Sequence, residues 1–213
     1  MNIFLQINHA ISEFLIGLVL TNNAQNFVKF FADSPIFFLP FFFVFYWIYY
    51  EKFYKTDKKF SQKIKNFFSK NEKISIKEKK NGLLLMVYSI IFGVSINLTI
   101  QLFFFFDRPE LLITPILQHI PDASFPSDHS TVSFAFLFGL FFAGYKKIFW
   151  TFLPFVILMN TARIAGGVHW FFDILAGIII GFFVVLTIFK NKNSKIIAKL
   201  NDFFINLAKF FKL

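Results

Sequence analysis

Clusters of lysine fall between long apolar runs, and this alternation restricts the fold of the chain more than any other feature. The runs cover roughly residues 3–20, 35–50, 82–106, 130–145, 148–162 and 171–189. Several approach the roughly 20 residues that a helix needs to cross a bilayer. The stretch 51–81 holds eleven of the twenty lysines, from Lys52 to Lys80. Lys146 and Lys147 form a second cluster, and Lys190, Lys192, Lys195, Lys199, Lys209 and Lys212 a third. A chain that is 56% hydrophobic over 213 residues is too apolar for a soluble domain of that size. The expected fold is therefore all-α: a polytopic membrane bundle of six transmembrane helices, forming one integral membrane domain over 1–213.

Lysines collect on the cytoplasmic side of membrane helices. If the basic loop 51–81 is cytoplasmic, the third helix runs outward, the fourth returns to Lys146-Lys147, the fifth runs outward and the sixth returns to Lys190. All three clusters then lie inside, both termini are cytoplasmic, and Lys29 alone remains outside. The expected location is the inner (cytoplasmic) membrane. The net charge of +10 follows topology and is not the footprint of a nucleic-acid binder. The tail 190–213 places Ile196, Ile197, Leu200, Phe203, Phe204 and Leu207 at helical spacing with lysines between them. This suits an amphipathic helix lying on the anionic inner leaflet or packed on its own bundle. Gly177-x-x-x-Gly181 permits close helix approach, within the bundle in preference to a homodimer face. Absence of cysteine excludes disulfides and thiolate metal sites.

Against twenty lysines stand only two arginines, each in a short polar motif. Arg108 lies in Phe106-Asp107-Arg108-Pro109, and Arg163 opens a stretch that ends in Gly166-Gly167-Val168-His169. Between them lies Pro126-Ser127-Asp128-His129. The expected topology puts all three motifs on the outer face. A guanidinium binds phosphate through a planar fork of donors, which an ammonium cannot do. Asp173 follows His169 by four residues, one helical turn, where a carboxylate can hold one imidazole nitrogen protonated and leave the other as a nucleophile. Ser127 supplies a hydroxyl, and the amides at the start of the fourth helix point toward an anion. One histidine would attack phosphorus and the other protonate the leaving oxygen, neither step needing a metal or a cofactor. His119 reads as a surface residue and His9 as a packing residue. Asp107, Glu110 and Asp122 add negative charge near the mouth without a metal-ligand arrangement.

These motifs resemble the signatures of the type 2 phosphatidic acid phosphatase superfamily. Pro126-Ser127-Asp128-His129, and Arg163 with His169 six later and Asp173 four after that, are the specific part. Arg108-Pro109 matches the end of the family's first signature. The resemblance implies that His169 is the nucleophile that forms a phosphohistidine, with Asp173 its partner and His129 the general acid. It implies that Arg108, Ser127 and Arg163 hold the phosphate with help from the amide of Asp128. Three positions depart from the pattern. Gln101 stands where the signature lysine belongs, Ala162 replaces a serine, and Asp128 replaces the commonest glycine. The Ser-Asp-His version and Gly167-Val168-His169-Trp170 look like the undecaprenyl diphosphate phosphatase branch.

The expected activity is hydrolysis of a lipid phosphate or diphosphate at the outer membrane face, with undecaprenyl diphosphate as the leading substrate. Phosphatidylglycerophosphate, phosphatidic acid and lipid A are the alternatives. Phosphotransfer to a second lipid or sugar is a rival of another class. A lipid-binding or transport relative weakened by Gln101 is the non-enzymatic rival. The expected partners are a phospholipid or polyprenyl phosphate, the bilayer and, as an open alternative, a second copy of the chain.

Overall fold

The computed structural model describes residues 3–21, 23–48, 76–109, 116–117 and 122–211. Among them are seven helices and no strand: α1 (Ile3–Thr21), α2 (Gln25–Ile48), α3 (Ile76–Phe103), α4 (Asp128–Phe142), α5 (Lys146–Ala165), α6 (Phe171–Lys190) and α7 (Lys195–Phe210). Most of the expected basic loop, and His119 and Glu110, lie outside the described residues.

Five of these helices are long and apolar enough to cross a membrane: α1, α2, α3, α5 and α6. The expected six differ from this at α4, which has only fifteen residues. At 1.5 Å per residue it is about 22 Å long, short of a roughly 30 Å hydrocarbon core. The fourth apolar run reaches 145, but the helix stops at Phe142, and Gly144, with a φ of 87°, turns the chain. Large apolar side chains such as Phe14, Phe37, Phe41, Phe92 and Phe183 face outward. Exposed apolar surface on this scale marks contact with another apolar medium, so the chain is a multi-pass membrane protein.

The second helix differs most from its expected span. It starts at Gln25 and continues through Pro35 and Pro40, where the sequence suggested a start near residue 35. Prolines are tolerated inside membrane helices because side chains and neighbouring helices re-satisfy the backbone groups they free. The earlier start brings Asp33 into a membrane-spanning helix.

Helix α4 is the hub, packing on α6, α3, α5 and α2. Ala135, Phe136, Leu137 and Leu140 are completely enclosed. Lipid tails are as apolar as leucine, so in a membrane close packing and polar contacts have to join the helices. The α4–α6 seam has both. A Cβ on Gly177 would lie 2.8 Å from the Ser127 carbonyl oxygen, and one on Gly181 would lie 3.0 Å from the Thr131 carbonyl oxygen. The Ser130 hydroxyl donates to the Ile174 carbonyl at 2.8 Å. The glycine pair is thus used inside the bundle.

Alternating helix directions put Arg108, Asp128, Arg163 and His169 at one end. Lys80, Lys146, Lys147 and Lys190 lie at the other. At the lysine end α7 buries Ile197, Asn201 and Ile205. Its Asp202 pairs with Lys77 at 2.9 Å, and Phe204 lies against Tyr88. Ile196, Phe203 and Phe210 remain exposed, so the tail helix packs on its bundle and presents a second apolar face outward.

Candidate functional site

Each polar motif is delivered by a helix end. Ser127 caps α4, its hydroxyl oxygen accepting from the Ser130 amide at 3.4 Å. Its own amide donates to the Asp173 carbonyl at 3.2 Å. The amides of Asp128 and His129 follow in the first turn, where a helix has no acceptor of its own for its donors. Arg163 lies in the last turn of α5. Gly166, and Gly167 with a φ of 79°, then turn the chain toward α6. Asp173 closes the start of α6, accepting from the Trp170 amide at 2.8 Å. Asn8 of α1 adds an acceptor for the Phe172 amide at 3.2 Å.

The two arginines and two histidines meet. Arg163, 1% exposed, has an Nη2 3.2 Å from Nε2 of His169 and an Nη1 3.4 Å from Nε2 of His129. The Nη1 of Arg108 lies 3.4 Å from the same His169 nitrogen. Guanidinium N–H groups only donate, so Nε2 of His169 carries a lone pair, and the proton resides on Nδ1. That nitrogen donates to the Ser124 carbonyl at 3.0 Å. Burial, followed by the charges of Arg163 and Arg108, holds the imidazole well below its usual protonation range. His169 is thus a neutral base whose lone pair points between the Arg108 and Arg163 guanidiniums.

The other expected site residues are near but differently engaged. Asp173 was expected to hold Nδ1 of His169 directly. Its Oδ2 is 3.6 Å from that nitrogen, and it accepts a short hydrogen bond from the Ser124 hydroxyl. Ser124 therefore joins the two, with its carbonyl on the imidazole and its hydroxyl on the carboxylate. Gln101 donates from Nε2 to the Pro126 carbonyl at 3.1 Å and so braces the segment leading into α4. Asp128 accepts from Asn97 at 2.8 Å, and Asn97 also bonds Thr131 at 2.9 Å. Asp122, expected to be a loose charge at the mouth, accepts from Nε of Arg108 at 2.6 Å. Arg108 also donates to the Val168 carbonyl at 2.6 Å and ties together the loops on either side. His9 stacks on Trp170 with ring centres 4.8 Å apart, as expected of a packing residue. Among the described residues no three His, Asp or Glu side chains gather as a metal cluster.

Asp33 of α2 was not foreseen. It accepts from Nη1 of Arg163, and its Oδ1 lies 3.2 Å from Nε2 of His129. A signal was available, because a carboxylate within an apolar run is functional by default. The two prolines placed the run's start beyond it. Below Asp33, Phe30, Phe42, Phe136, Phe155 and Met159 line an apolar groove of about 600 Å³ between α2, α4 and α5.

A sequence model described as the PAP2 superfamily matches residues 82–196. The chain is 33% identical over 100 residues to the undecaprenyl-diphosphatase BcrC of Bacillus subtilis (strain 168), covering 46% of this chain and 51% of that protein. It is 35% identical over 77 residues to the bacitracin transport permease protein BcrC of Bacillus licheniformis, covering 36% and 37%. It is 32% identical over 105 residues to the putative undecaprenyl-diphosphatase YbjG of Escherichia coli (strain K12), covering 43% and 52%. The chain spans about half or less of these relatives' lengths. No solved structure matches it.

Proposed function

From the chain's membership of the PAP2 superfamily, we propose that it is an integral membrane lipid phosphatase acting through a phosphohistidine. The observation that carries this reading is the convergence of His129 and His169 on Arg163, with the His169 lone pair directed into the cluster. A phosphoryl group there would be held by Arg108 and Arg163, the Ser127 hydroxyl and the amides of Asp128 and His129. Nε2 of His169 attacks phosphorus and forms the P–N bond as the P–O bond to the leaving group breaks. His129 gives its proton to the departing oxygen. It then takes a proton from water as water cleaves the P–N bond, which releases phosphate and restores both histidines. The fixed guanidiniums stabilise charge that grows on the phosphoryl oxygens in the transition state. Gln101 is the sixth phosphate-side residue of this reading, beside the Ser127 cap through Pro126, and Asp173 supports His169 through Ser124.

The apolar groove supports a substrate with a hydrocarbon chain, since its size suits a ligand pocket of roughly 300–1,000 Å³. Undecaprenyl diphosphate is the proposed substrate, in keeping with the names of the Bacillus subtilis and Escherichia coli relatives. In the proposed topology α4 crosses as well, the C-terminus is cytoplasmic and the site faces the periplasm or exterior of an inner membrane. Asn8 on Phe172 and His9 on Trp170 put the start of α1 at the site end and not at the cytoplasmic end expected for the N-terminus. The segregation of lysines to the opposite end supports this orientation.

Phosphate release by purified protein in detergent tests the reading, with undecaprenyl diphosphate, phosphatidylglycerophosphate, phosphatidic acid and lipid A compared. Fastest release from undecaprenyl diphosphate is expected. Preference for another lipid would replace the substrate, and no release from any of them would overturn the assignment as a phosphatase. Appearance of a phosphorylated acceptor would make it a phosphotransferase.

A further inference from the structure

Two histidines face the same arginine, yet the proposed reaction needs one as a nucleophile and the other as an acid. Both present Nε2 to Arg163, at 3.2 Å for His169 and 3.4 Å for His129. A guanidinium beside an imidazole nitrogen favours a lone pair there, because it can only donate. Left to Arg163 alone, both rings would keep Nε2 unprotonated and both would be nucleophiles. The difference between them is a carboxylate. His169 has Arg108 as its second neighbour at Nε2, whereas His129 has Oδ1 of Asp33 at 3.2 Å. A carboxylate oxygen only accepts, so the contact requires a proton on Nε2 of His129.

We propose that Asp33 is a positioning residue that makes His129 the acid, by holding its proton on the nitrogen that faces the phosphate. This rests on the phosphatase reading above. The groups facing His129 are Asp33 from α2, Arg163 from α5 and its own neighbour Asp128 on α4. Burial, the largest influence, and the Arg163 charge oppose protonation, and the two carboxylates favour it, Asp33 most through its hydrogen bond. Asp33 also accepts from Arg163, so one oxygen aligns the guanidinium and the imidazole together. In the chemical step the Nε2–H proton passes to the leaving oxygen as the P–O bond breaks, and Asp33 stays on Arg163. Asp33 lies outside the stretch that matches the family, residues 82–196. Helix α2 supplies it by passing Pro35 and Pro40 without a break.

The test separates acid catalysis from scaffolding. Asp33→Asn and Asp33→Glu are compared with wild type on a dialkylglycerol phosphate, whose alkoxide leaves poorly, and on p-nitrophenyl phosphate, whose phenolate leaves well. General acid catalysis is worth roughly 10²–10⁴-fold and is needed least by a good leaving group. Asp33→Asn is expected to lose on the order of 10²-fold on the lipid and only a few-fold on the aryl ester. The alkaline limb of kcat/KM should move to lower pH, because a carboxylate beside an imidazolium raises its pKa. Asp33→Glu should keep the limb near wild type. Equal losses on both substrates would reduce Asp33 to a scaffold. Faster turnover of both with tighter phosphate inhibition would make it a plug. Either result overturns the proposal. Failure of the phosphatase reading itself is read from the wild-type lipid panel above, which includes undecaprenyl diphosphate, and not from these two substrates. Where wild-type protein turns over neither, imidazole ¹⁵N shifts decide, since a proton on Nε2 of His129 is expected in wild type and a bare Nε2 in Asp33→Asn. No difference between the two would overturn the proposal.

Discussion

At the scale of single residues, the site pairs groups whose roles follow from their neighbours. His169→Ala removes the lone pair between the two guanidiniums, and turnover should fall to background in a phosphate-release assay. His129→Ala should cost roughly 10²–10⁴-fold on a poor leaving group and leave a phosphohistidine trappable from a diphosphate. The pH profile carries a sign that can be checked. The proposed nucleophile works as neutral imidazole, and burial with two guanidiniums holds its protonation well below the ordinary 6.5. Lowering the pH through 6.5 therefore leaves His169 active, and its acid limb in kcat/KM should appear well below that value. A limb at 6.5 or above that follows His169 would contradict the geometry. Motif spacing made Arg108, Ser127, His129, Arg163, His169 and Asp173 legible from sequence. Asp33 and Ser124 were not, because they contact residues 130 and 45 positions away in the chain.

At the scale of helices, the α4–α6 seam sets where the motifs sit. The Ser127 cap and the start of α6 are held together where Gly177 leaves room. A methyl group on Gly177 would meet the Ser127 carbonyl oxygen at 2.8 Å and Ser130 Cβ at 2.6 Å. Overpacking of this kind costs roughly 1–3 kcal/mol. Gly177→Ala should lower the thermal midpoint in detergent and cut activity, because the strain falls on the first turn of α4. Gly17 of α1 has nothing within 4 Å of an added Cβ. Gly17→Ala should be neutral or stabilising by about 0.5–1 kcal/mol, the helix preference of alanine over glycine. Equal effects of the two substitutions would mean that α6 does not pack on α4 through this face. Helix existence was readable from hydropathy. The start of α2 was not, since proline reads as a boundary in sequence and membrane helices accommodate it, and the end of α4 was not, since the positive φ of Gly144 falls inside an apolar run.

At the scale of the molecule, the charge segregation predicts orientation. The chain has no cysteine, so single cysteines report topology without background. Thr21→Cys marks the site end and Lys192→Cys the opposite end. The first should react with an impermeant thiol reagent in intact cells, and the second only after permeabilisation. The reverse pattern would put the site in the cytoplasm. Turnover should also survive excess EDTA, because the proposed steps run through guanidinium, imidazole and hydroxyl groups alone. Full loss restored by one specific divalent ion would require a different mechanism.

The membrane class, the helical runs and the gathering of polar motifs at one end were determined by the sequence alone. Hydropathy and charge act residue by residue against the bilayer, and the spacing from Arg163 to His169 to Asp173 is local. Tertiary structure alone decided which partner each group received. Ser124 stands between His169 and Asp173, Asp122 holds Arg108, and Asp33 reaches Arg163 and His129 from a helix outside the motifs. Such pairings depend on how helix faces pack across the bundle. Shape fit and polar contacts choose those faces in a medium where apolar burial gives little preference.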